Sequence, residues 1–204
     1  VNISSHDPAA ARIIIILLAW VAFAVVFLLR RRAPREATRK RLGWSWAAIL
    51  LQGYAIGLVW AYERPHDSAL LPWGRGGEWV LAGVVLFLSV VSVGFVATAV
   101  RALGKQWSLE ARVRDDHELI TAGPYGYVRH PIYTGLFGLL IATGLALSLP
   151  LVLVAAMAIF FLATRWRIAL EERLLRERFG NAYVDYAANV PAFIPWRLSR
   201  RSAP

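Results

Sequence analysis

The sequence predicts an all-α integral membrane protein of five transmembrane helices, the fourth and fifth forming a helical hairpin, with a cytoplasmic cap and an amphipathic C-terminal helix. Three observations predict it. Hydrophobic residues make up 58% of the 204, too many for an ordinary soluble domain. Uncharged runs cover residues 13–29, 44–62, 79–100 and 131–164. The 23 Lys and Arg residues fall almost wholly on one side of those runs.

The first three runs hold 17, 19 and 22 residues, each close to the roughly 20 that cross a hydrocarbon core as helix. The first lacks a basic leader and ends in Arg30-Arg31-Arg32, so it is expected to be a retained anchor and not a cleaved signal. The fourth run, 34 residues long, would form a straight helix of about 51 Å, well beyond a core of about 30 Å. Ser148-Leu149-Pro150 lies in its middle and predicts a tight turn between two short helices. Five alternating spans leave only Arg12, Arg64 and Arg75 on the side of the amino terminus. The positive-inside rule then puts that terminus outside and the C-terminal tail in the cytoplasm of what is expected to be a prokaryotic cytoplasmic membrane.

Residues 101–129 are expected to form an ordered cap. Beyond the fifth span, Leu170, Leu174, Leu175, Phe179, Tyr183 and Tyr186 recur at helical spacing. They predict C-terminal helices over 167–190, interrupted at Gly180 and ended by Pro191. The chain divides into three N-terminal spans, 1–101, and a part, 102–204, that carries the hairpin 131–166, all in one membrane domain. Trp44, Trp46, Trp60, Tyr62, Trp73, Trp79, Trp107 and Trp166 cluster at span ends, as interfacial belts do.

The net charge of +10 follows from this topology and from anionic lipid, not from nucleic-acid binding. Gly74-Arg75-Gly76-Gly77 follows no strand and reads as a plain loop, and no Gly-x-Gly-x-x-Gly follows a strand-like run. With no cysteine there is no thiolate chemistry, and the scattered histidines His6, His66, His117 and His130 lack metal-ligand spacing.

Chemistry concentrates where Arg129 and His130 meet the fourth run. Ionisable groups at such a mouth are functional candidates. Pro131 suits a first helical turn, which sets Tyr133 about one turn inside His130. The hairpin returns Arg165, Arg167, Glu171 and Glu172 to the same face. One glutamate is suited to hold an amine or sulfonium while the other fixes an arginine, and Arg167 and Glu171 stand at i, i+4.

The segments LGKQWS (103–108), HELI (117–120), GPYGYVRHPIYTG (123–135), Glu171-Glu172, FGNAYVDY (179–186) and Val190-Pro191 occur in the order in which similar segments run through a known family. In them the chain resembles the isoprenylcysteine carboxyl methyltransferases and, more distantly, the phospholipid methyltransferases. The resemblance implies methyl transfer from S-adenosylmethionine, leaving S-adenosylhomocysteine, to a lipophilic acceptor at the cytoplasmic membrane face. It puts Glu118, Leu119, Ile120, Tyr125, His130, Pro131, Tyr133, Glu171 and Glu172 at the cofactor. Arg129, Arg167, Glu171 and Glu172 are the catalytic candidates, with Arg167 orienting an acceptor carboxylate. No metal is implied. Leu170 interrupts an acidic run that is longer in the eukaryotic members, which leaves the acceptor open. Two other readings stand beside this one: a membrane reductase of the sterol reductase type using NADPH, which shares an Arg-His-Pro-x-Tyr motif, and a non-catalytic lipid-binding protein.

Overall fold

The computed structural model describes residues 7–29, 40–41, 45–65, 70, 74–104, 112–113 and 118–195. Trp44, Trp73, Lys105 to Ser108 and His117 lie outside them. Six α-helices account for most of the described chain: α1 (Pro8–Leu28), α2 (Ser45–Ala61), α3 (Gly74–Leu103), α4 (Pro131–Leu147), α5 (Pro150–Phe179) and α6 (Asn181–Asn189). Helices α1, α3 and α5 are long and apolar enough to cross a membrane, and α2 and α4 are shorter apolar helices. Two short strands depart from the all-helical expectation: β1 (Lys40–Arg41) pairs antiparallel with β2 (Arg112–Val113).

The helix boundaries follow local chemistry. Asp7 caps α1 by accepting from the Ala9 amide at 3.0 Å, and Pro8 occupies the first turn, where its missing N–H costs nothing. Pro131 and Pro150 start α4 and α5 in the same way, so the predicted turn at Ser148-Leu149 is where one helix becomes the next. Gly180, at φ +53°, ends α5 in a conformation that disfavours any side chain. Two expectations need correction. Gly74 to Gly77 is not a loop but the first turn of α3; the long apolar run behind it carries the helix through residues of poor propensity. No break falls between residues 166 and 167, because α5 runs unbroken to Phe179. At 30 residues this helix is about 45 Å long, so its charged end projects beyond a core of about 30 Å.

Helix α4 is the centre, packed by α1, α2, α3 and α5. On one side Ile16 of α1 and Val85 of α3 bury against Ala142, Ala146 and Leu147. On the other, Ala55 and Val59 of α2 join Leu140, Phe160 and Ile168. Gly135 and Gly138 let α4 approach Ser92 and Val96 of α3 so closely that an added Cβ would collide with them. Buried polar groups are matched across helices: Trp20 Nε1 donates to Thr143 Oγ1 at 3.1 Å, and Gln52 Nε2 to Thr164 Oγ1 at 2.8 Å. Outward faces carry Leu18, Val21, Leu50, Phe87, Val90, Val154 and Leu162, all largely exposed. An apolar surface of that extent belongs in lipid.

Candidate active site

The two candidate clusters meet where α4 begins. After α3, the chain reaches a 3₁₀ turn at Gly123–Gly126 that opens on Gly123, at φ +62°. That turn delivers Arg129 and His130 to the start of α4. Two turns of α5 supply Arg167, Glu171, Glu172 and Arg176 opposite them. The segment after α6 closes the third side, with the Arg129 and His130 amides donating to the carbonyls of Pro191 and Ala192 at 2.8 and 3.0 Å. Thr134 Oγ1 donates to Phe193 O at 2.6 Å.

His130 stands between the adjacent glutamates. Its Nδ1 is 3.5 Å from Glu171 Oε2, and its Nε2 is 3.4 Å from Glu172 Oε1. Each glutamate also holds an arginine. Arg129 donates through Nε and Nη2 to Glu172 Oε1 at 2.9 and 2.7 Å, and Arg167 Nε donates to Glu171 Oε1 at 3.1 Å. The Tyr133 hydroxyl donates to Glu171 as well. The Tyr133 ring stacks on His130 with centroids 5.8 Å apart and carries the Arg167 guanidinium over its face at 5.2 Å. A ring of alternating charge results, with neighbouring carboxylates pointed at one imidazole.

Burial works against a charged His130, but the hydrogen bonds and negative charge of Glu171 and Glu172 outweigh it and hold the imidazole pKa above its ordinary value. The Tyr125 phenol is pushed up by burial, and next by its neighbours Tyr186 and Glu171. Burial, followed by the charge of Glu172, does the same to Tyr183.

Of the sequence candidates, Arg129, His130, Tyr133, Arg167, Glu171 and Glu172 form this ring. Pro131 opens α4 beneath it. Tyr125 is buried one layer back, its carbonyl accepting from the Tyr186 hydroxyl at 2.7 Å. Glu118, Leu119 and Ile120 lie on the irregular segment leading into the 3₁₀ turn, Glu118 exposed and the other two half-buried. Sequence reasoning missed two supports. Arg176 Nη2 donates to Glu172 Oε2 at 3.3 Å, and the i, i+4 spacing was there to find it. Arg129 Nη1 donates to Ala187 O at 2.8 Å and also to Val190 O, which no spacing rule reveals.

The family model for the isoprenylcysteine carboxyl methyltransferase (ICMT) family matches residues 81–177. A relative from Oryza sativa subsp. indica, the probable protein-S-isoprenylcysteine O-methyltransferase, is 32% identical over 72% of this chain and 78% of its own length. The chain belongs to the isoprenylcysteine carboxyl methyltransferase family. This is a family of integral membrane methyltransferases. Its bacterial relatives include the nickel-cobalt-cadmium resistance protein NccN of Alcaligenes xylosoxydans xylosoxydans, 33% identical over 79% of this chain and 67% of that protein. The ICMT fold is also seen directly. The structure of the eukaryotic intramembrane Ras methyltransferase ICMT aligns with a TM-score of 0.58 at 21% identity, over 88% of this chain. This chain spans 63% of that one.

Proposed function

We propose that this chain transfers the methyl group of S-adenosylmethionine to a lipophilic acceptor, an isoprenylcysteine-type carboxylate or a related lipid, at the cytoplasmic face of its membrane. The observation that carries the reading is the position of His130 between Glu171 and Glu172, at the mouth of an apolar bundle and within the family's matched region. In this reading α1 to α5 are five spans with the amino terminus outside, α4 and α5 form a hairpin, and the whole is one domain. Its catalytic part is 102–204.

The donor set fits such a cofactor. Glu171, with 21% of its side chain exposed, offers a carboxylate to an ammonium or sulfonium. The His130 and Tyr133 rings offer flat faces, and arginine guanidinium groups match a carboxylate. Glu118, Leu119, Ile120 and Tyr125 complete the adenosine side, and Pro131 fixes the entry into α4. When bound, S-adenosylmethionine supplies a methyl group already activated on sulfur. What the protein adds is alignment and the exclusion of water, and positioning of this kind is worth about 7–11 kcal/mol of a barrier. Arg167, held by Glu171 and by the Tyr133 face, orients an acceptor carboxylate, which needs no general base. Arg129 holds Glu172 in place.

Calorimetric titration of the detergent-purified protein tests the reading. S-adenosylhomocysteine is expected to bind in the micromolar range, and Tyr133→Phe and Glu172→Gln are both expected to weaken it. Binding of NADPH alone would replace this reading with a reductase.

A further inference from the structure

A second charged cluster lies at the opposite end of α4, where no family motif falls. Two of the three arginines on the amino-terminal side are buried there: Arg12 of α1 is 4% exposed and Arg64, after α2, is 9% exposed. Arg12 pairs with Glu78 of α3, whose other oxygen accepts from the Leu70 amide at 3.1 Å. The Arg64 amide donates to Leu147 O at 2.7 Å, which fixes its backbone against the end of α4. A cavity of about 30 Å³ opens between the two arginines, walled by Ala9, Ile13, Ala146 and Leu147, with Glu63 also lining it.

Glu78 lies close enough to act on both arginines. Glu78 answers Arg12, while the Glu63 side chain is exposed. Among the described residues, Arg12 Nε and Arg64 Nη1 are buried donors with no hydrogen-bond acceptor. Leaving such N–H groups unmatched is costly, more so when they are charged. Burial first, then repulsion from Arg12, lowers the pKa of Arg64 against the opposing pull of Glu78. Two buried guanidinium donors without an acceptor, on arginines that both line a small cavity, describe a receptor for an acidic oxygen. A volume of about 30 Å³ is enough for a water-sized group, so it takes the leading oxygen of a group whose remainder stays outside.

We propose that Arg12 and Arg64 form an anion site that seats a phosphate-type oxygen at the end of the bundle opposite His130. The group is either the phosphate of an anionic lipid at headgroup level or a free phosphate ion. The site is separate from the methyl-transfer reading and stands whether or not that reading holds.

Thermal unfolding in uncharged detergent tests it. Inorganic phosphate is compared with chloride at equal ionic strength, and phosphatidylglycerol in mixed micelles with diacylglycerol. A phosphate-bearing ligand is expected to raise the midpoint by about 2–4 °C. The rise should vanish in Arg64→Gln, and in Ala9→Leu, which fills the cavity while both arginines remain. The second variant keeps the test decisive if the first fails to fold. A rise with inorganic phosphate supports a free ion, and a rise with phosphatidylglycerol alone supports the lipid. No rise with either, or an equal rise in Ala9→Leu, overturns the proposal.

Discussion

Arg129 binds through all three of its guanidinium nitrogens: Nε and Nη2 serve Glu172, and Nη1 serves the carbonyls of Ala187 and Val190. Arg129→Met would leave a carboxylate that is only 9% exposed with His130 and Arg176 alone and remove the side-chain bonds to the carbonyls of Ala187 and Val190. Breaking a buried pair of this kind costs about 3–5 kcal/mol, so a large fall in the unfolding midpoint is expected. Glu171→Gln should cost less, because that side chain is 21% exposed and the amide oxygen still accepts from Tyr133. His130 adds a pH dependence. Its pKa is higher folded than unfolded, so its contribution to stability is complete below the unfolded value of about 6.5 and is lost as pH rises through the folded one. The midpoint advantage of wild type over His130→Gln should therefore be largest below about pH 6.5 and shrink as the pH rises above it. At this scale the residue types were legible in the sequence, since ionisable groups at the mouth of an apolar run have few structural uses. The Arg167–Glu171 pair was legible too, being one helical turn. The Arg129–Glu172 bond, across 43 positions, was not, because it depends on where two helices cross.

Helix contacts are set by small residues on α4. An added Cβ at Gly135 would strike the Ser92 carbonyl and the Val96 side chain, whereas one at Gly138 would meet mainly the Ser92 hydroxyl. A hydroxyl can rotate and a backbone carbonyl cannot. Gly135→Ala is thus expected to destabilise by about 1–3 kcal/mol, and Gly138→Ala by less, since alanine recovers up to about 1 kcal/mol of helix propensity. Unfolding of the two variants side by side in detergent checks the order. Periodicity and proline placement predicted where α4 starts and where it gives way to α5. They failed at Gly74 and at residue 166 for related reasons. Glycine marks a loop only when no apolar run drives the helix on, and a change from apolar to charged composition marks the edge of the membrane, not the end of a helix.

For the molecule as a whole, the proposed orientation has a direct test, because the chain contains no cysteine. Gly76→Cys, at the exposed start of α3, should react with a membrane-impermeant maleimide in intact cells, and Asp185→Cys on α6 only after permeabilisation. The opposite pattern would invert the topology. Charge asymmetry is what the proposed orientation rests on, and nothing in the sequence announced that Arg12 and Arg64 are both buried. The clasp by which Pro191 and Ala192 hold the amides of Arg129 and His130 has a consequence in time. Synthesis runs from the amino terminus, so Arg129 leaves the ribosome 43 residues ahead of Glu172. At 5–20 residues per second that is an interval of about 2–9 s. During it Arg129 and His130 are without the carboxylates that pair with them. The clasp itself closes later still, once Pro191 and Ala192 have emerged, so the ring is the last part of the molecule to be completed.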